Sequence, residues 1–481
     1  MNMKRLFLQF LFIGIGLSLN AQIKECGKLI SGKVLCDNKG VVNVMVTDGK
    51  DCTLTNSKGE YTLCSDGQAR FVYLSVPSGY LVKSENTIPK FYQKIDPHNE
   101  NPYDFYLIKN PKNDLKHCFL VQADVQVTSE EDLHEYKDIL QDMIYCQKSL
   151  PQNQDFFGID CGDIVGDTPS LYPEYIRTVS GLGLPVYRAI GNHDMTYGGR
   201  TFEYSHATFE DYFGPVYYSF NKGKAHYIIL DNCFYINRDY QYIGYIDERT
   251  FSWMEKDLSY IPKGSLVFVI MHIPSSSTKK LAYNKLLQDE TSNAASLSEM
   301  LKKYDSHIIT GHTHFNLNVS FNDSLMEHNT AAVCGTWWRS KLCVDGTPCG
   351  YGVYQVENSH VKWVYKSYGE AEDYQFRVYP VGSSDEFPSD IIANVWNWDE
   401  KWKVEWFEDG KSMGVMDPYT GYDPMAKSIC SDKKIVLYDW ISPVKTTHLF
   451  HARPRNFGAK IEVKVTDRFG NVYKQTVQKN K

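Results

Sequence analysis

The chain reads as an α/β core flanked by two small all-β domains, and three observations predict it. Between residues 111 and 370, short apolar runs alternate with stretches whose apolar residues recur every three or four positions. From about residue 23 to 110, and again after about 371, β-branched and aromatic residues alternate between turn signals. The 481 residues exceed what one hydrophobic core organises, and 42% apolar with 23% charged residues is an ordinary globular composition.

Taken in order, the first element is a targeting segment. Lys4 and Arg5 precede an apolar stretch from Leu6 to Leu19, too short to span a membrane comfortably, with a plausible cut after Ala21. Residues 1–21 are therefore expected to be a cleavable signal peptide, and the mature chain periplasmic or secreted. No later run is long enough to cross a membrane as a helix. Without Lys4 and Arg5, 49 basic residues face 58 acidic ones, a net charge of −9. No dense Lys/Arg stripe appears, so the charge does not favour nucleic-acid binding.

Residues 22–110 form the first expected domain. Val41–Val46, Tyr61–Cys64 and Phe71–Val76 are strand-like, punctuated by Asp48-Gly49, Lys58-Gly59 and Ser78-Gly79, which suggests a small sandwich. Cys52 and Cys64 flank the turn at Asn56–Gly59 and are a disulfide candidate in an exported chain; Cys334, Cys343 and Cys349 are close enough in sequence to pair as well. Cys118, Cys146, Cys161 and Cys233 lie in apolar runs and read as buried free thiols.

The core, residues 111–370, carries strand-like runs at Cys118–Val121, Phe156–Ile159, Val186–Ile190, Tyr227–Leu230, Leu266–Ile270 and His307–Ile309. Helical spacing recurs over 130–148 (Leu133, Tyr136, Ile139, Leu140, Met143), over 247–258 and over 293–304. From 371 to 481 the period-two pattern returns, as in Lys403–Trp406 and Ile461–Val465.

Polar clusters follow five of the core strands. They are Asp124-Val125-Gln126, Gly162-Asp163 with Asp167 four residues on, Gly191-Asn192-His193-Asp194, His272, and Gly311-His312-Thr313-His314. Ligands gather beyond the carboxyl ends of strands in open α/β sheets, so these clusters are expected to converge. The Gly of the third permits a sharp turn out of its strand. Carboxylate, amide and imidazole groups suit two divalent cations such as Mn, Fe or Zn. Asp163 would bridge them, Asp124 and His314 completing one site and Asn192, His272 and His312 the other. Two such ions hold a bridging hydroxide for in-line attack on a phosphoryl group. His193 would protonate the leaving oxygen or bind the phosphate, and Asp194 would orient its imidazole.

The ordered series D-x-Q, GDxxxD, GNHD, H and GHTH resembles the calcineurin-like metallophosphoesterase superfamily over roughly residues 116–370. That resemblance implies a four-layer α/β/β/α sandwich with a binuclear metal site and the ligand and catalytic roles just given. The 22–110 segment resembles carboxypeptidase-regulatory-like modules, and both flanking segments resemble accessory modules of an exported bacterial subgroup. Family members usually carry D-x-H, where this chain has Gln126. An amide is a weaker ligand than imidazole, so Gln126 reads as a weak metal ligand or a group just behind the ligands.

The resulting expectation is a phosphoesterase hydrolysing a phosphorylated small molecule or polymer, a monoester by preference. A phosphodiesterase acting on nucleotides, lipid headgroups or wall polymers is the alternative, and a non-catalytic binding protein on a degenerate scaffold is the third reading. Tyr197, His206, Trp337 and Arg339 follow the motif clusters closely and are candidates to contact substrate.

Overall fold

The computed structural model describes residues 26–478 except 66, 277–287, 437 and 457; the expected signal peptide lies outside the described residues. Two central sheets are built from β1 (Lys116–Gln122), β2 (Asp155–Asp160), β3 (Val186–Arg188), β4 (Tyr218–Lys222), β5 (Ala225–Ile229), β6 (Leu266–Ile270), β7 (Asp305–Thr310), β8 (Leu317–Asn322), β9 (Leu325–Asn329), β10 (Gly350–Glu357) and β11 (His360–Ser367). The first sheet has the order β3-β2-β1-β10-β11, and the second β4-β5-β6-β7-β9-β8. β1, β2 and β3 pair in parallel, as do β5, β6, β7 and β9; the outer strands β4, β8, β10 and β11 pair antiparallel.

The period of two explains the layers. Phe119 and Val121 of β1 join Phe157 and Ile159 of β2 in the core shared with Tyr227 and Phe268 of the second sheet. The alternate residues Cys118, Leu120 and Phe156 turn outward and pack with Leu133, Tyr136, Ile139, Leu140 and Met143 of α1 (Glu130–Ser149) and Tyr175 of α2 (Tyr172–Val179). Outside the second sheet lie α3 (Glu248–Ser259), through Phe251, Met254 and Leu258, and α4 (Ala294–Leu301), through Leu297 and Leu301. Aromatic rings tie the two sheets together. Phe119 stacks on Phe157 at 5.1 Å and on Tyr354 at 4.8 Å, and meets Tyr227 edge-on at 5.6 Å. The result is a two-sheet sandwich with helices on its outer faces and further β-rich regions at both ends of the chain, the C-terminal one carrying a short helix at Pro424–Ser431.

Helix starts follow from local chemistry. Ser129 caps α1 in a reciprocal box with Asp132, and the Asp247 side chain accepts from Thr250 N at the start of α3. β10 and β11 are not apparent from the sequence pattern, since Gly350 and Gly352 dilute the apolar signal. They complete the first sheet, bringing Tyr354 and Trp363 into the core.

The N-terminal region forms two four-stranded sheets around Ile30, Val34, Val46, Tyr61, Leu63, Val72 and Leu74, with two further two-stranded pairs. It covers one edge of each central sheet. Asn221 N of β4 donates to Val76 O at 2.8 Å, and Val186 N of β3 donates to Thr87 O at 2.8 Å. Lys256–Asp51 at 2.7 Å and an Arg70–Glu210 ion pair add charged contacts. Cys64 pairs with Cys26, correcting the expected Cys52–Cys64 link. Leu29 faces Cys64 across the strand pair, which puts Cys26 within reach, whereas Cys52 belongs to the other small sheet and is free. Cys334, Cys343 and Cys349 are free and buried, as are Cys118, Cys146, Cys161 and Cys233.

The C-terminal region is a second pair of four-stranded sheets packed around Val404, Trp406, Val463 and Val465. It covers the opposite side of the core. Arg468 pairs with Asp399 at 2.8 Å and lies over the ring of Trp363, and His448 Nε2 sits 3.1 Å from Asp345 Oδ2. No helix among the described residues is long and apolar enough to cross a membrane.

Candidate metal centre

Each expected ligand lies two to four residues beyond the end of a parallel strand: Asp124 and Gln126 after β1, Asp163 after β2, Asn192 after β3, His272 after β6, and His312 and His314 after β7. The loops are knitted by their own backbones. Asp124 N donates to Gly162 O at 3.1 Å, Gln126 N to Asp163 O at 2.8 Å, and Gly311 N to His272 O at 3.0 Å. The backbone is strained where the side chains must turn inward. Asp124, Gln126, Asp163, His312 and His314 all have φ between 43° and 72°, a region that non-glycine residues seldom occupy and that gathers at functional sites.

Gly191 is needed for a different reason from the expected turn. Its φ of −109° is open to any residue. A Cβ there would stand 2.2 Å from Asp163 Oδ1, so only glycine lets this loop close on the carboxylate. Gly162, at φ 94°, combines both demands: it is left-handed, and a Cβ on it would meet His272 Nδ1 at 2.9 Å.

Asp163, His272 and His312 present ligand atoms within 4.8 Å of one another. His272 Nδ1 donates to Cys161 O at 2.8 Å, which leaves the lone pair on Nε2. That nitrogen faces Asp163 Oδ2 at 3.2 Å, Asn192 Oδ1 at 3.1 Å and His312 Nδ1 at 3.2 Å. Acceptors pointed at acceptors repel unless a proton or a cation stands among them. Burial would lower the His272 pKa, but the Asp163 carboxylate outweighs it and lifts it to about 9. Burial likewise opposes the charge on Asp163, yet His272 and His193 hold its carboxyl far below the usual range. Burial and neighbouring His272 keep His312 neutral, its pKa well below the usual imidazole value. On the other side, His314 Nε2 is 3.5 Å from Asp124 Oδ1, while its buried Nδ1 has no hydrogen-bond partner. Asp124 also accepts from His312 N at 3.1 and 2.9 Å. The donor set therefore fits divalent cations.

Gln126 donates from its amide nitrogen to Asp163 Oδ2 at 3.0 Å, the place of a group just behind the ligands. One expectation changes here. Asp194 does not orient His193. Its buried carboxylate accepts from Gly191 N at 3.0 Å, Ile164 N at 3.1 Å, Val165 N at 3.3 Å and the Tyr172 hydroxyl at 3.0 Å. Burial and the charge of Asp163 raise its pKa to about 7. The carboxylate beside the half-buried His193 ring is Asp167, with Nδ1 3.0 Å from Oδ2 in an ion-pair contact rather than an aligned hydrogen bond. His193 Nε2 lies 3.9 Å from Asp163 Oδ2. Burial opposes the imidazolium, but Asp163 and Asp167 outweigh it and raise His193 to about 9.

The expected substrate contacts divide. Tyr197 is buried with its hydroxyl on Asn192 O at 3.1 Å, so it braces the ligand loop instead of lining open space. His206 sits beside Asp231 at 3.4 Å and is likewise absent from the walls of the adjoining cleft. Trp337 and Arg339 do line that cleft, about 440 Å³ in volume, together with Gln126, Asp167 and His193. Trp337 stacks on His314 at 4.3 Å.

Three family models match the chain. The one described as calcineurin-like phosphoesterase covers residues 119–316, its N-terminal companion 28–110 and its C-terminal companion 327–473. No curated protein matches. Among solved structures, a dimetal phosphatase from Danio rerio is similar at 11% identity and TM-score 0.37, over 53% of this chain and 97% of that one. A 5'-nucleotidase from Candida albicans follows at 14% and 0.32, over 54% and 53%, and an NAD nucleotidase from Haemophilus influenzae at 11% and 0.30, over 52% and 49%. The chain spans about half the length of these two nucleotidases.

Proposed function

The chain belongs to the calcineurin-like phosphoesterases, and from that premise we propose that it is a metal-dependent hydrolase of phosphate monoesters acting outside the cytoplasm. The observation that carries the reading is the set of ligand atoms from Asp163, His272, His312 and Asn192 turned on one another, with His193 open to the cleft beside them. Asp163, Asn192, His272 and His312 would hold one divalent cation, and Asp124 and His314 with a share of Asp163 a second. Such cations supply the positive charge that acidifies a water and neutralises phosphoryl oxygens.

The chain's own residues do the rest. His312 is held by its backbone N–H on Asp124, so the two halves of the centre are fixed to each other. Cys161 O holds the His272 ring in one tautomer. Gln126 fixes Asp163 Oδ2 without taking a coordination position. His193 gives its proton to the oxygen of the departing alcohol, and Asp167 keeps that imidazole charged and faced toward the cleft. An amide where the family usually has an imidazole tilts the reading toward monoesters.

Export is supported by the Lys4-Arg5 and Leu6–Leu19 pattern and by the Cys26–Cys64 disulfide, which calls for an oxidising compartment. Sequencing the amino terminus of the purified mature chain tests it, and an intact Met1 would refute it. For activity, the chain loaded with Mn, Zn or Fe should hydrolyse a mono-aryl phosphate faster than a bis-aryl phosphate. A faster diester reaction would replace the monoester reading, and no hydrolysis of either would overturn the proposal.

A further inference from the structure

We infer that the C-terminal β region completes the cleft as a leaving-group subsite, an aromatic platform for phosphate esters of ring-shaped alcohols. This rests on the phosphoesterase reading above. The cleft beside His193 has one wall from the motif loops and the other from Trp337, Tyr438 and Trp440, the last two more than a hundred residues downstream of every motif. Trp440 is 60% and Tyr438 43% exposed. Single exposed aromatics mean little, but these rings are continuous with the metal centre. His314 stacks on Trp337 at 4.3 Å, Trp337 meets Trp440 at 4.5 Å and 89°, and Trp440 lies along Tyr438 at 5.4 Å and 23°. An alcohol whose oxygen is protonated by His193 would carry its ring toward that corner.

Two further observations make the corner a built feature. Trp337 and Trp338 are consecutive left-handed residues, at φ 48° and 61°, where bulky side chains are rare. That backbone is held by Trp338 N on Cys334 O at 2.8 Å and by Trp338 Nε1 on Val125 O at 2.9 Å. The segment bearing Trp440 is anchored as well. Val436 and Ile441 pack with Val344, Trp337 leans on the same cluster, and Val444 N donates to Val344 O at 3.0 Å.

The carboxylates in the cleft are already engaged. Asp132 accepts from Thr128 and Ser129, and Asp167 pairs with His193. What remains to recognise a leaving group is ring face and the exposed Arg339 guanidinium, which suits a flat ring better than an amine or a flexible chain. A nucleobase and a sugar ring share that chemistry.

The test compares kcat/KM for a nucleoside 5'-monophosphate, a pyranose phosphate and glycerol phosphate in the full chain, Trp440→Ala, Trp440→Phe and Tyr438→Ala. One ring ester should exceed glycerol phosphate at least about tenfold, and Trp440→Ala should lose about that factor through KM while glycerol phosphate is unchanged. Trp440→Phe should recover most of it. The arm that responds identifies the ring. Equal effects on ring and glycerol esters would overturn the subsite while leaving the phosphoesterase reading intact. If no ester is hydrolysed, that reading fails, and the subsite is judged by tryptophan fluorescence with adenosine or methyl glucoside. Quenching lost in Trp440→Ala supports it, and no quenching by either in the unsubstituted chain overturns it.

Discussion

Asp194→Ala separates a structural carboxylate from a catalytic one. In the structure this side chain is the acceptor for three backbone N–H groups and one hydroxyl, at 3.0 to 3.3 Å, all buried behind the 163 and 191 loops. A buried donor left without a partner costs roughly 1–3 kcal/mol. Some of that is offset, because Asp194 itself is disfavoured as a buried anion near Asp163. A net loss of about 3–5 kcal/mol follows, large against the 5–15 kcal/mol that typically holds a domain together. In a chain of several domains, global unfolding need not be two-state, so the loss is best read locally. Hydrogen exchange at Ile164, Val165 and Gly191 should accelerate, and the urea midpoint of the core should fall. Metal content should fall with it, since Gly191 no longer holds its loop against Asp163. If Asp194→Ala keeps its exchange protection and its midpoint within about 1 kcal/mol of the parent but loses turnover, the carboxylate acts in proton transfer and the structural argument is wrong.

Four further variants test the centre and the core beneath it. Asp163→Asn should abolish hydrolysis and cut bound metal measured by elemental analysis, because it removes the charge that Asp124 alone cannot replace; full metal occupancy would contradict the bridging role. His193→Ala should lower kcat about 10²–10⁴-fold with metal content unchanged, and Asp167→Asn should do less while moving the alkaline limb of the pH–rate profile to lower pH, as the imidazolium loses its partner. Buried His117 donates from Nδ1 to Asp114 O at 2.8 Å and accepts the Tyr227 hydroxyl at Nε2 at 2.6 Å, and burial lowers its pKa from 6.5 to about 4. The unfolded chain takes up that proton first as pH falls, so stability present above pH 6.5 is lost progressively down to about pH 4, by about 3 kcal/mol. Urea midpoints at pH 7.5 and 4.5 should show the loss, and His117→Gln should flatten it; an unchanged slope in that variant would remove His117 as the cause.

What the sequence made legible was what repeats at short range. Apolar runs end in polar clusters, so the pattern alone predicts that Asp124, Asp163, Asn192, His272, His312 and His314 converge. The labour within the third cluster could not. His193 and Asp194 are neighbours in sequence, but Asn192–Asp194 is a 3-10 turn, whose successive side chains point about a third of a turn apart. One reaches the cleft and the other the backbone of the 163 loop. The signal for Asp167 was present as the second Asp of Gly162-Asp163-x-x-x-Asp167, its left-handed φ of 58° aiming it back at His193. Nothing in the sequence links Trp440 to Trp337, because the contact depends on how the C-terminal sheets sit on the core. The Gln126 amide is a departure visible in the sequence, but which of its two ends faces the centre is a matter of rotamer and hydrogen bonding.

The N-terminal sheets, finally, change how the core would behave alone. They lie along β3 and β4, the outermost strands of the two central sheets on that side. A chain starting at residue 111 would leave both margins with bare amides and carbonyls, stacked one sheet upon the other. Such margins are templates on which further copies add strand by strand. Residues 26–110 therefore shield both margins from edge-to-edge pairing. A shortened chain should be lost to precipitation at concentrations where the complete one stays in solution, even with every residue of the metal centre intact.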